Sequence, residues 1–264
     1  MQWVLQEFED TAKLARALDR AGVPYSFHKV VPFVGELQPE PEIADPSAVV
    51  LFGSYTLWRF AEKKGLFPGV FRLRPYVEEK AWQPYLLNGP GARFLTVRDI
   101  PAQLEDDRRA WFLRPVSDSK EIAGKVLSTG DIHDIVSKVL AMPEEDIPGG
   151  ALRPETQMML CPPARIQKEW RIWVVSERVV TWSLYVEGRR VVYRHEIDED
   201  ALAFAEQMIA ANPNYATAYV MDVCRTDDGL RLLETNCLNA AGFYAADLSR
   251  LVHAIEGLGR GDQA

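Results

Sequence analysis

An α/β domain over residues 1–97 followed by an α+β domain over residues 98–264 is what the order of secondary-structure signals in this chain predicts. Near the amino terminus the signals alternate as β, α, β, β, α. Further on, apolar strands are joined by tight turns and separated by only a few helical stretches. A chain of 264 residues with 47% hydrophobic side chains has enough apolar surface for the cores that such units need.

Trp3 to Phe8 reads as a short apolar strand. Thr11 to Ala21 carries Leu14, Ala15 and Leu18 at helical spacing and stops at Gly22-Val23-Pro24. Tyr25 to Val34 is a second strand. The Pro-rich acidic stretch Glu36 to Pro46 connects it to a buried strand at Ala48 to Phe52, and Ser54 to Lys64 is the helix that follows. Val77 to Leu87 is read as a helix and Ala92 to Val97 as a strand.

In the second half, Trp111-Phe112-Leu113-Arg114 is an apolar strand ending in a cation, and the polar turn from Pro115 to Lys120 adds another. Asp131 is expected to cap a helix that carries Ile132, Ile135, Val136, Val139 and Leu140. Gln157 to Leu160 is a strand cut off by Pro162-Pro163. Glu169 to Val175 and Val179 to Tyr185 flank the turn Ser176-Glu177-Arg178, and Arg190 to Tyr193 follows Glu187-Gly188. Ala201 to Ala211 is a helix. Ala245 to Glu256 is the last one.

Tyr219 to Cys224 and Leu230 to Asn236 alternate as two paired strands around Thr226-Asp227-Asp228-Gly229, where glycine suits the positive φ of a tight turn. With a three-residue loop, Asp227-Asp228-Gly229, Thr226 faces Leu230, Cys224 faces Leu232 and Asp222 faces Glu234, with Asn236 on the same face. Facing like charges destabilise a ladder, so a cation is expected between them. Two carboxylates and an amide form an oxygen-only set of the kind that suits Mg²⁺. A loop one residue shorter slips the register and sends the carboxylates to opposite faces. The alternative reading is an ordinary surface hairpin.

The two-residue period also puts Glu169, Arg171 and Trp173 on one strand face. By itself that is a solvated sheet face, as Arg114 is a surface cation and Lys120 a loop residue. Taken with the three oxygen ligands, these cations suit a polyphosphate, since Arg grips phosphate oxygens bidentately and Lys follows them as a point charge.

The formal net charge of −8 opposes general nucleic-acid binding. Three Cys and four His, widely spaced, offer neither a disulfide framework nor zinc spacing. A reducing, cytoplasmic setting is expected, with no membrane partner, because the amino terminus has no basic, apolar leader pattern and no segment reaches membrane-spanning length.

These residues resemble the ATP-grasp fold, in particular a clade of small bacterial and phage ATP-grasp proteins with Arg where the superfamily usually has Lys. Phe112 to Lys120 is similar to the phosphate-binding strand and loop, with Arg114 at the replaced position. Glu169-x-Arg171-x-Trp173 resembles the strand that gives an acid to ribose and an Arg to phosphate, and Asp222 with Glu234-Thr235-Asn236 resembles the metal-binding strands. Residues 1–97 then correspond to a pre-ATP-grasp, Rossmann-like companion domain.

The resemblance implies ATP and Mg²⁺ as cofactors. It assigns phosphates to Arg114, Lys120 and Arg171, ribose to Glu169, adenine to a hinge from Gln157 to Leu160, and the metal to Asp222, Glu234 and Asn236. The implied reaction joins an unidentified carboxylate to an amine or other nucleophile through an acyl phosphate. A kinase on the same fold, or a nucleotide-binding module without turnover, remains the alternative. Cys237 is expected to be a small buried thiol, Trp170, Trp173 and Trp182 to pack the sheet, Arg189-Arg190 to be solvated, and Asn239 to Tyr244 to form a substrate loop.

Overall fold

The computed structural model describes residues 1–31, 36–54, 56–89, 91–104, 109–117, 122–148 and 150–259. By contacts, the chain divides into one unit of Met1–Tyr76 with Ile166–Ala264 and a second of Val77–Arg165. The division expected at 97/98 therefore falls inside the second unit. The reason is a shared core. Trp3, Leu14 and Leu18 from the amino-terminal region pack in one cluster with Trp173, Val220, Leu251 and Ile255 from the carboxyl-terminal region.

The first unit contains two sheets. Strands β1 (Gln2–Gln6), β2 (Tyr25–Val31), β3 (Glu36–Gln38), β4 (Val49–Phe52) and β5 (Pro68–Gly69) are arranged β3-β2-β1-β4-β5. Strand β1 runs parallel to both β2 and β4. Helix α1 (Glu9–Ala21) links β1 to β2, burying Leu14, Ala15 and Leu18 on one stripe, and Gly22 ends it in the left-handed conformation at φ 65°. Helix α2 (Thr56–Lys64) follows β4.

Beyond the second unit, β10 (Ile166–Val175), β11 (Arg178–Glu187), β12 (Arg190–Arg194), β13 (Ala218–Thr226) and β14 (Gly229–Asn236) form an antiparallel sheet ordered β12-β11-β10-β13-β14. Helix α5 (Glu199–Ala211) precedes β13, and α6 (Leu248–Leu258) ends the fold. The last helix starts later than expected. Tyr244 has φ 49°, outside helical space, and the Asp247 carboxylate caps the helix by accepting from Ser249 N and Arg250 N. Glu256 on α6 accepts from the Trp3 indole at 2.6 Å and from the Met1 amino group at 3.1 Å, tying the helix to β1.

The second unit is a sheet of β6 (Arg93–Thr96), β9 (Gln157–Cys161), β7 (Ala110–Pro115) and β8 (Lys125–Ser128), in that order, packed on α3 (Ile100–Gln103) and α4 (Thr129–Ala141). Ser128, not Asp131, is the cap of α4. Asp131 sits three residues inside and completes the capping box by accepting from Ser128 N. The expected helix over Val77 to Leu87 is instead two single 3₁₀ turns, Tyr76–Glu78 and Gln83–Tyr85, because Pro84 cannot donate inside an α-helix.

Candidate active site

The hairpin β13–β14 closes on a two-residue loop, Asp227-Asp228, with Thr226 opposite Gly229 and Cys224 opposite Arg231. The register near the turn is thus one residue off the expected one. Continued unbroken, it would separate the carboxylates. Instead a β-bulge intervenes: Val223 faces Leu232 while Asp222 faces Glu234, so Leu233 is the extra residue and the ladder beyond it is the one the site needs. The expected opposition of Asp222 and Glu234 is present, by a route the alternation alone does not show.

Asp222 is fully buried at 0% exposure, and Arg171 lies directly opposite it on β10. The guanidinium donates through Nε to Oδ1 at 2.9 Å and through an Nη to Oδ2 at 2.7 Å, a bidentate pair. Arg171 is itself 8% exposed, which corrects the expectation of a solvated strand face. The Asn236 amide donates to Asp222 Oδ2 at 3.3 Å and to Glu234 Oε1 at 3.0 Å. Glu169, two residues from Arg171, stands on the same face and bonds to the Tyr185 hydroxyl.

Tyrosines finish the surroundings. The Arg171 guanidinium carbon lies 4.8 Å from the Tyr244 ring centre and 5.5 Å from that of Tyr185. Tyr244 stacks between Tyr185 and Tyr193 at 5.1 and 4.9 Å. Neither Tyr185 nor Tyr193 is singled out by the sequence motifs. The available signal is Thr181, Ser183 and Tyr185 at period two on β11, with Ser183 opposite Arg171, a polar face inside an apolar strand.

Electrostatically, three carboxyls (Asp222, Glu234 and Glu169) face one guanidinium. Burial raises the Asp222 carboxyl above the usual range, against the pull of Arg171, and Glu234 raises it further. Burial likewise raises Glu169, with Asp222 and Glu234 adding to the rise. The residues fit a hard divalent cation: Asp222 and Glu234 supply carboxylate oxygens, and a half-turn of the Asn236 amide presents its oxygen in place of its nitrogen. Among the described residues no group of three or more His, Cys, Asp or Glu forms a metal cluster, so the amide is needed as third ligand.

The other expected residues belong to the second unit. Arg114 on β7 is half-buried, stands opposite Met159 and donates from Nε to Pro115 O at 3.1 Å. Lys120 lies outside the described residues. Gln157 opens β9 with an exposed side chain and accepts from Val116 N at 2.9 Å, while Leu160 is wholly buried. Strand β9 pairs with β6 on one side and β7 on the other, so its Gln157–Leu160 backbone is an interior strand rather than an open hinge. The exposed, irregular stretch Pro162–Arg165 follows it.

Asn239, expected in a substrate loop, is structural. Its amide donates to Leu51 O and accepts from Phe71 N at 2.7 Å, fastening the post-hairpin segment to β4. All three cysteines are free and buried, and burial raises the Cys161 and Cys224 thiols to about 11 and about 12. Trp170 and Trp173 are buried in the sheet, as expected, and Trp182 stacks on His195 at 5.4 Å.

Residues 63–255 match a family of ATP-grasp domains, the third family of its clade. Among curated proteins none matches the sequence. The fold is similar to that of the D-cycloserine synthetase DcsG (TM-score 0.62, 15% identity, covering 98% of this chain and 100% of that one). It is also similar to the D-alanyl-alanine synthetase A of Vibrio cholerae (0.60, 10%, 98% and 96%). A third similar structure is the ATP-grasp ligase PsnB complexed with a precursor peptide and AMPPNP (0.52, 16%, 97% and 96%). At these identities the likeness is one of fold.

Proposed function

The chain belongs to this family of ATP-grasp domains, and from that membership we propose that it is an ATP-dependent ligase joining a carboxylate to an amine or other nucleophile. The observation that carries the proposal is the bulged hairpin, which gathers Asp222, Glu234 and Asn236 on one face beside the buried Arg171. Ordinary surface hairpins do not bury an uncompensated acidic cluster. The three similar structures named above include two synthetases and a peptide ligase.

In this reading Asp222, Glu234 and Asn236 hold Mg²⁺, which when bound neutralises the phosphate oxygens that separate during transfer. Arg171 neutralises phosphate charge from the same face, and Arg114 and Lys120 add phosphate contacts. Glu169, fixed by Tyr185, accepts from ribose hydroxyls. Adenine is read next to Gln157 and Leu160, with the irregular Pro162–Arg165 stretch supplying backbone groups that the paired strand lacks. The substrate carboxylate attacks the γ-phosphate, forming an acyl phosphate and ADP. The nucleophile then attacks the acyl carbon, and inorganic phosphate leaves. Positioning and charge neutralisation do this work without a dedicated proton-transfer residue.

Mass analysis after incubation with ATP, Mg²⁺ and pools of amino acids and peptides tests the assignment. A product lighter by one water than the sum of two substrates, with stoichiometric ADP and phosphate, is the expected result. A phosphorylated product would show a kinase, and ATP bound without any product a nucleotide-binding module. Either outcome overturns the ligase.

A further inference from the structure

A second site lies in the first unit, between α6 and the start of β11, remote in sequence from the bulged hairpin. Here a cavity of about 730 Å³ has an apolar floor that includes Val175, Val180 and Ala254, and a rim carrying Arg178 and Arg250. Neither arginine forms an ion pair with a described carboxylate. Arg20 of α1 adds a third cation, donating to the Ser249 hydroxyl on the rim at 3.2 Å.

The nearest acids are committed elsewhere. The Glu177 carboxylate accepts from Asn214 N at 2.6 Å, and Asp247 is spent on the cap of α6. The turn that delivers Arg178 is strained, with Ser176 at φ 47° and Glu177 at φ 58°, two consecutive positions that normally take Gly or Asn. On a chain of net charge −8, a groove edged by cations without carboxylate partners is a local inversion of the surrounding field.

We propose that this groove binds a short acidic peptide segment whose apolar side chains lie on the floor and whose carboxylates reach Arg178 and Arg250. The chemistry selects that class. Rim cations on separate elements around a side-chain floor do not converge on one point, as a lone phosphate requires. The overall negative charge disfavours an extended polyanion such as RNA or an anionic membrane, which would feel the whole surface. Carboxylates spaced along an apolar backbone meet both features at once.

The test is fluorescence anisotropy with a fluorescein-labelled Glu- and Leu-rich peptide. Its Lys-for-Glu counterpart and inorganic tripolyphosphate serve as comparisons. The acidic peptide is expected to bind, with Kd rising about tenfold or more in the doubly substituted Arg178→Glu, Arg250→Glu protein and on raising NaCl from about 50 to about 300 mM. Both side chains are exposed, so the folded state should persist, and the milder Arg178→Gln, Arg250→Gln pair should give an intermediate loss. No binding, equal binding of the basic peptide, indifference to charge reversal, or displacement of the peptide by tripolyphosphate at lower concentration would each overturn the proposal.

Discussion

Replacing Arg171 with Ala should cost far more stability than removing a surface arginine, and the cost should depend on pH. The side chain is 9% exposed and its bidentate partner Asp222 is 0% exposed, so the pair belongs with buried ion pairs, for which deleting one member costs about 3–5 kcal/mol, not with exposed pairs near 0–1 kcal/mol. In Arg171→Ala the stranded carboxylate can neutralise itself by taking a proton, and burial already pushes its carboxyl upward. In Asp222→Ala the stranded guanidinium has no such escape. Arg171→Ala should therefore recover part of its loss as pH falls from about 7.5 to about 5, while Asp222→Ala should not. Urea denaturation in EDTA, which keeps divalent cations from replacing the guanidinium, measures both. The double variant should be less destabilised than the two singles added together, by about 2–3 kcal/mol. Single losses below about 1 kcal/mol with no coupling would refute the buried pair and return Arg171 to a solvated face.

Glu234→Gln keeps volume and hairpin but halves the carboxylate pair, so Mg²⁺-dependent nucleotide binding measured by calorimetry should weaken and ATP consumption fall on the order of 100-fold while the unfolding transition stays put; unchanged Mg²⁺ dependence would remove Glu234 from the site. Glu169 has a folded-state carboxyl raised by burial above its ordinary value of 4.5, so its protonated form favours the fold, and that stability is lost as pH rises through the raised value. Glu169→Gln should flatten the decline in a pH series of urea midpoints, and an unaltered slope would assign the effect elsewhere. Deleting Leu233 removes the extra residue of the bulge while leaving Val223 opposite Leu232 and Asp222 opposite Glu234 in a regular ladder. Mg²⁺ affinity should survive that deletion, and its disappearance would show that the bulge aims the carboxylate as well as restoring register.

Much of the site is legible because β-sheets have a strict period. Alternation alone puts Glu169 with Arg171, and Asp222, Glu234 and Asn236 on matching faces. What alternation lacks is any mark for Leu233, since one extra apolar residue between Leu232 and Glu234 looks like strand. The Arg171 to Asp222 contact is equally silent, because its partners are 51 residues apart and pairing of β10 with β13 is a property of the sheet order. The unit boundary escapes for a related reason: helical periodicity shows that α1 and α6 each bury a stripe, without showing that both stripes enter one core with Trp3 and Trp173. The helix expected over Val77 to Leu87 fails for a local reason, since Pro84 already argues against it in the sequence.

The buried pair also constrains how the proposed ligase can work. Arg171 cannot hold Asp222 bidentately and grip a phosphate bidentately with the same fork at once. With three carboxyls facing one guanidinium, charge balance favours a state in which a divalent cation takes Asp222 and Glu234 and the guanidinium is shared with phosphate. The stacked tyrosines let that exchange occur without unfolding the strand, because attraction to the ring face tolerates small shifts of the guanidinium that a carboxylate fork does not. Cation and nucleotide should consequently bind cooperatively through Arg171. In Arg171→Lys, a point charge with no fork, that cooperativity should shrink even where ATP still binds.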